Sequence, residues 1–198
     1  GGAIMDTISD SVQEAPAAPA FPHRRWRDYP VAGVDFPDAT TVTRDSGWMQ
    51  MACTALASHL GRETELIAGI DIGGIGLAGA LAFRSRLGFI DIRKVGSIRA
   101  DVVRSLAANY ELGNGVALSK GHQLAGHHVA LIDDCLMSGG TALAAAELLR
   151  RLGAHCTRAL FVFELEGLGR RERLAQAGIA MQALERLPAA EPRLAPAG

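Results

Sequence analysis

Apolar and polar positions along this chain fall into two alternating patterns. Short unbroken apolar runs are followed by stretches in which apolar residues return every third or fourth position. The runs Leu66 to Ile70, Phe89 to Ile92, Val129 to Ile132 and Ala159 to Phe163 predict buried strands, and Ile179 to Leu184 predicts a last one. Helical spacing covers Trp48 to Leu60, Gly76 to Leu87, Thr141 to Leu152 and Arg170 to Ala177. Each of these four ends against a glycine (Gly61, Gly88, Gly153, Gly178), a common way to close a helix. Residues 94–115 are polar and without a clear period, and are expected to form a long lid or irregular connection. Strands taking turns with helices predict an α/β fold: an open, mainly parallel sheet with helices on both faces.

The ends read differently. Residues 1–22 carry Ala-Pro repeats and read as a flexible arm, and residues 188–198, rich in Pro and Ala, as a flexible tail. That leaves residues 23–187 as one folded domain, in keeping with a chain of 198 residues. The 20 basic and 21 acidic residues nearly cancel, leaving a charge of −1 and no electrostatic ground for a nucleic-acid partner. No apolar run approaches the ~20 residues that span a bilayer, so no membrane partner is expected. The N-terminus lacks a signal-peptide pattern. Cys53, Cys135 and Cys156 are odd in number and widely spaced, which speaks against a disulfide framework or a zinc site and for a cytoplasmic setting.

The densest chemistry lies in VALIDDCLMSGGTALAAAELLRRLGA. Asp133 and Asp134 follow the strand Val129 to Ile132 at once, and the turn Ser138-Gly139-Gly140-Thr141 leads into a helix. In open α/β sheets ligands sit beyond the carboxyl ends of the strands. Backbone N–H groups of residues 137–141 can face an anion there, the glycines permit close approach, and the helix dipole favours negative charge. A phosphate cradle alone has no use for two carboxylates. They repel phosphate, but they suit a vicinal diol such as the 2′- and 3′-hydroxyls of ribose. The joint demand is for a sugar phosphate. The bland reading, Ser138 capping a helix beside two surface acids, explains less of the pattern.

This stretch resembles the PRPP-binding motif of type I phosphoribosyltransferases, and the resemblance extends to the adenine phosphoribosyltransferase branch over about residues 24–185. Asp28 to Asp45 (DYPVAGVDFPDATTVTRD) looks like that branch's base-site segment, and Ile92-Arg93-Lys94-Val95-Gly96 like its basic motif. Tyr110-Glu111-Leu112-Gly113 sits where the family carries its lid acid, and Glu164 to Leu174 resembles its C-terminal helix region. The resemblance implies the type I phosphoribosyltransferase fold with a small N-terminal hood. It implies transfer of 5-phosphoribosyl to a ring nitrogen of adenine or a modified purine-like base, with release of pyrophosphate. It also implies Mg²⁺ bound mainly through PRPP, and a homodimer. By the same resemblance Asp133, Asp134, Cys135, Met137, Ser138, Gly139, Gly140 and Thr141 would bind PRPP. Asp71, Ile72, Gly73, Arg93 and Lys94 would bind pyrophosphate, Asp35 and Phe36 the base, and Glu111 would steady charge or manage the base's proton.

Gly74-Ile75-Gly76-Leu77-Ala78-Gly79 also satisfies the dinucleotide fingerprint G-x-G-x-x-G, but Asp71-Ile72-Gly73 intrudes between strand and motif. Gly76 and Gly79 alternatively let a helix pack closely on the sheet. Several positions depart from the family pattern. Gly73 stands in place of an arginine, Asp35 of an aliphatic residue, Pro37 of an arginine, Leu112 of a tyrosine and Ser97 of a lysine. A lost diphosphate-clamping arginine removes on the order of 1.5–3 kcal/mol of charge-assisted contact, which Arg99 could make up. A donor-bearing base is expected beside Asp35. The alternative function is a catalytically weak or inactive PRPP-binding regulator.

Overall fold

Seven strands form one sheet: the five apolar runs foreseen in the sequence pair with one another, and two further strands extend the edge. The computed structural model describes residues 20–96, 100–136 and 139–193. In chain order the elements are β1 (Arg24–Trp26), β2 (Phe36–Asp38), α1 (Thr40–Thr43), α2 (Ser46–Ser58), β3 (Leu66–Ile70), α3 (Gly73–Ser85) and β4 (Gly88–Lys94). Then follow α4 (Ala100–Asn109), β5 (Tyr110–Leu112), β6 (Val116–Ser119), β7 (His128–Leu136), α5 (Gly140–Arg151), β8 (His155–Leu165), α6 (Arg170–Gln176) and β9 (Ala180–Leu187). The large sheet has the order β5-β6-β4-β3-β7-β8-β9. Its strands β4, β3, β7, β8 and β9 are parallel, and β6 joins β4 antiparallel with β5 outside it. A separate two-stranded hairpin, β1 with β2, forms the hood.

Successive residues of the central strands face opposite sides. Ala68, Leu131 and Phe161 join the core under α5 and α6, with Ala145, Leu148, Leu149 and Leu174. Their neighbours Ile67, Ile132 and Leu160 join the second core under α2 and α3, with Leu56, Leu77 and Leu81. Both faces are therefore dry, which is why these strands read as unbroken apolar runs. Helix α2 starts where the Asp45 carboxylate accepts the Trp48 N–H at 2.9 Å. Among the described residues no helix is long and apolar enough to cross a membrane.

Three expectations change. The 94–115 connection is not irregular throughout: it holds α4 and β5, and β6 begins directly after it. Strand β7 does not stop at Ile132 but runs through Asp133, Asp134 and Cys135 to Leu136, because β8 pairs with it that far, Cys135 opposite Phe163. The tail is also anchored over residues 188–193, where Arg25 donates to the carbonyls of Pro188 (2.7 Å) and Ala189 (3.2 Å). Residues 1–19, 97–99 and 194–198 lie outside the described residues. So do much of the expected arm, the end of the tail, Ser97 and Arg99.

Candidate active site

The strand order reverses at β3, which is flanked by β4 on one side and β7 on the other. Such a switch point opens a crevice beyond the strand ends. Here it is a cavity of about 620 Å³. Asp71, Ile72 and Gly73 enter from the end of β3, Lys94 from β4, Asp133, Asp134, Cys135 and Leu136 from β7, and Gly139, Thr141 and Ala142 from the start of α5. The hood closes it with Tyr29, Pro30, Phe36 and Asp38, and Thr40 and Phe161 complete the wall.

Each backbone detail serves close approach. A Cβ on Gly74 would stand 2.3 Å from the Ile132 carbonyl oxygen, so glycine is what lets α3 start directly over β7. Gly69 plays the same part on β3, where a Cβ would meet Ala78 at 2.7 Å. Gly76 faces open space, so the close packing read into Gly76 belongs to Gly69 and Gly74 instead. Gly139 has φ +70° and turns the chain into α5, a conformation that costs other residues free energy. The first turn of α5 borders the cavity through Thr141 and Ala142, the end of a helix that suits an anion. The Asp71–Ile72 peptide is cis.

Charge in this wall is lopsided: among the described residues that line it, Asp38, Asp71, Asp133 and Asp134 face one cation, Lys94. The Asp134 N–H donates to Asp133 Oδ1 and the Cys135 N–H to Asp134 Oδ1, both at 2.8 Å. Asp133 is 8 % exposed. Burial, and then the charge of Asp134 beside it, push its carboxyl well above the ordinary value. Burial likewise pushes the Cys135 thiol far up, which leaves it a packing group and not a nucleophile. Among the described residues no three His, Cys, Asp or Glu side chains cluster as a metal site. Asp38 is occupied locally, accepting from Thr40 N (2.9 Å) and Thr40 Oγ1 (2.6 Å).

Of the positions singled out in the sequence, Asp71, Ile72, Gly73, Lys94, Phe36, Asp133, Asp134, Cys135, Gly139 and Thr141 share this one space. Gly140 opens α5 just behind it. Met137 and Ser138 lie outside the described residues. Three positions stand apart from the wall. Arg93 turns outward, with Nε 3.0 Å from Asp91 Oδ2 and its guanidinium over the Tyr110 ring. Glu111 sits on β5 opposite Leu118 at the sheet edge. Asp35 is buried behind the hood, where its carboxylate pairs with Arg193 at 2.8 Å. Arg193 depresses the Asp35 carboxyl below the usual carboxylate range, chiefly by hydrogen bonding. Sequence reasoning passed over Tyr29, Asp38 and Thr40, although all three lie within the 28–45 segment, and over Phe161 and Arg193.

A parallel sheet with a carboxylate pair and a helix N-terminus at its switch point defines the α/β class of proteins, whose ligands sit at that place. A family model of the phosphoribosyl transferase domain matches residues 47–175, and the chain belongs to that family. It is 36 % identical over 161 residues to the adenine phosphoribosyltransferase of Brucella anthropi, covering 79 % of this chain and 87 % of the relative. With that of Brucella ovis it shares 35 % identity over 182 residues, 90 % and 93 % of the two chains. The solved adenine phosphoribosyltransferase of Thermoanaerobacter pseudethanolicus superposes with a TM-score of 0.71 at 30 % identity, covering 83 % of this chain and 95 % of that one. The Saccharomyces cerevisiae enzyme, solved with an imino-altritol bisphosphate and adenine, gives 0.69 at 25 % identity, with 82 % and 94 % covered. This protein is an enzyme of the phosphoribosyltransferase class, with the type I fold.

Proposed function

We propose that the protein transfers the 5-phosphoribosyl group of PRPP to a ring nitrogen of adenine or a closely related purine, releasing pyrophosphate. The observation that carries this reading is a single cavity holding the Asp133–Asp134 pair, the N-terminus of α5 and the aromatic hood. The carboxylates suit the ribose diol and the α5 N–H groups the 5-phosphate. Asp71, Gly73 and Lys94 border the remaining polar end, which suits the diphosphate. Tyr29 and Phe36 meet edge to face, centroids 5.7 Å apart, and offer flat apolar surface to a heterocycle.

Breaking the anomeric bond leaves positive charge on the ribose, and a closed, acid-lined site stabilises it. Adjacent carboxylates without a complete ligand set of their own fit Mg²⁺ carried largely by substrate oxygens and water. Asp71, Asp133 and Asp134 are the side chains that would hold it, and bound there it would neutralise the leaving diphosphate. Glu111 acts in this scheme only if α4 and β5 fold inward over the substrates. Adenine relatives and the absence of an available Asp35 carboxylate favour adenine over a base chosen by that acid.

The assembly is proposed as a homodimer. Phe83 on α3 is 90 % exposed and Phe89 on β4 is 45 % exposed. Gly79 lies against the Phe89 ring, one helical turn from Phe83, so the two rings share one surface. A cytoplasmic setting fits three free, buried cysteines.

The test is pyrophosphate release from Mg²⁺-PRPP with a panel of purines. Release with adenine supports the proposal. PRPP binding without turnover on any base points to the regulator instead.

A further inference from the structure

The loop between β1 and β2 carries one of the two hood rings that face the cavity, Tyr29, and leads directly into the other, Phe36 at the start of β2. Each follows directly after an anchored residue, Asp28 and Asp35. The anchor is one carboxylate. Asp35 is 1 % exposed, and its oxygens accept from Arg193 Nη2 (2.8 Å) and Nη1 (2.9 Å), from the Glu191 N–H (2.8 Å) and from the Asp28 N–H (3.1 Å). Arg193 Nη2 also reaches Asp28 Oδ1 at 3.2 Å. The backbone repeats the tie: the Asp35 N–H donates to the Ala189 carbonyl at 2.8 Å, and Arg25 Nε to the Asp35 carbonyl at 2.8 Å. Both ends of the hood loop are thus held by residues 188–193, which belong to no strand or helix. None of these contacts involves Asp71, Gly73, Lys94 or the Asp133–Thr141 stretch.

We infer that the C-terminal segment sets the hood over the acceptor side of the cavity, with Arg193 as a positioning residue that acts through Asp35 on Tyr29 and Phe36. The inference rests on the acceptor-side reading above for its catalytic consequence, and on the hydrogen bonds alone for the anchoring. Losing Arg193 leaves a buried carboxylate short of two donors, which the hood relieves by moving. The donor side has no part in this relay, so acceptor and donor binding should separate.

The experiment compares the full chain with Arg193→Met by amide hydrogen exchange and by kinetics on adenine and Mg²⁺-PRPP. Faster exchange over residues 28–36, with β3 and β7 unchanged, is expected. So is an adenine KM raised about tenfold with the PRPP KM unmoved, the scale of one lost charge-assisted contact. Arg193→Lys keeps the charge but not the two-pronged geometry, and should shift both readouts the same way by less. It serves as the test variant if Arg193→Met does not fold. Unchanged exchange over 28–36 overturns the inference, and so does a KM change shared equally by both substrates or absent from both. If the unaltered protein makes no product from adenine, the functional reading falls by itself and the exchange arm still decides the anchoring.

Discussion

Asp133 occupies a position that favours its neutral form, while the ribose diol proposed for this cavity calls for its charge. Burial and the neighbouring Asp134 raise its folded-state value above the ordinary 3.8. A raised value means the folded chain holds that proton better than the unfolded one. The corresponding stability is complete below 3.8 and is lost as pH rises through the raised value. Asp133→Asn should therefore melt higher than the unaltered protein at pH 8 without ligand, with the gap closing toward pH 4. The same substitution should raise the PRPP KM by about tenfold or more, since a charged acceptor is lost. Thermal melts at the two pH values and initial rates against PRPP check both halves. At Gly74 the constraint is steric. Gly74→Ala must push α3 off the Ile132 carbonyl at a cost of about 1–3 kcal/mol, read as a lower denaturation midpoint.

At the scale of elements, legibility followed burial. Strands β3, β7 and β8 announced themselves because both faces of their central residues are covered and their apolar runs are unbroken there, whereas β4 was found from Phe89 to Ile92 although only Ile92 is fully buried. Helix α4 was missed although Val102, Val103, Leu106 and Ala107 recur at helical spacing, because the run is short and lies in a stretch otherwise polar and Gly-containing. The end of β7 was hidden for another reason. Two aspartates argue against a strand by composition, and only pairing with β8 keeps them in one. The donor half of the candidate site was readable because its residues are contiguous in sequence. Of its acceptor half Phe36 was readable, but the anchor was not, because Asp35 finds Arg193 far along the chain, from within a Pro- and Ala-rich stretch. Segment α4–β5 carries its own prediction. It is tied down by Arg151, which donates to the Leu112 carbonyl, and by Lys120, which donates to that of Ala107. If this segment closes over bound substrates, Glu111→Ala lowers kcat on the order of a hundredfold while the PRPP KM stays put. Steady-state rates decide it, and an unchanged kcat removes Glu111 from the mechanism.

For the whole molecule, the exposed Phe83–Phe89 surface is the feature that a single chain leaves unexplained. Phe83→Glu places a charge in the proposed contact. Sedimentation should then move from the mass of a pair to that of one 20.8 kDa chain. A chain that is monomeric before the substitution would refute this assembly. The hood and its anchor are a separate matter, held within one chain by contacts between residues 25–35 and 188–193.

That anchor changes how damage to the gene would read out. Ending the chain after Ala189 removes Ala190 to Arg193 among the described residues, none of them in the sheet or the cavity wall, and would ordinarily be scored as harmless. Here it deletes the Glu191 and Arg193 donors and strands Asp35 without them. On the proposed reading such an allele would spare the phosphoribosyl donor and blunt capture of the acceptor alone.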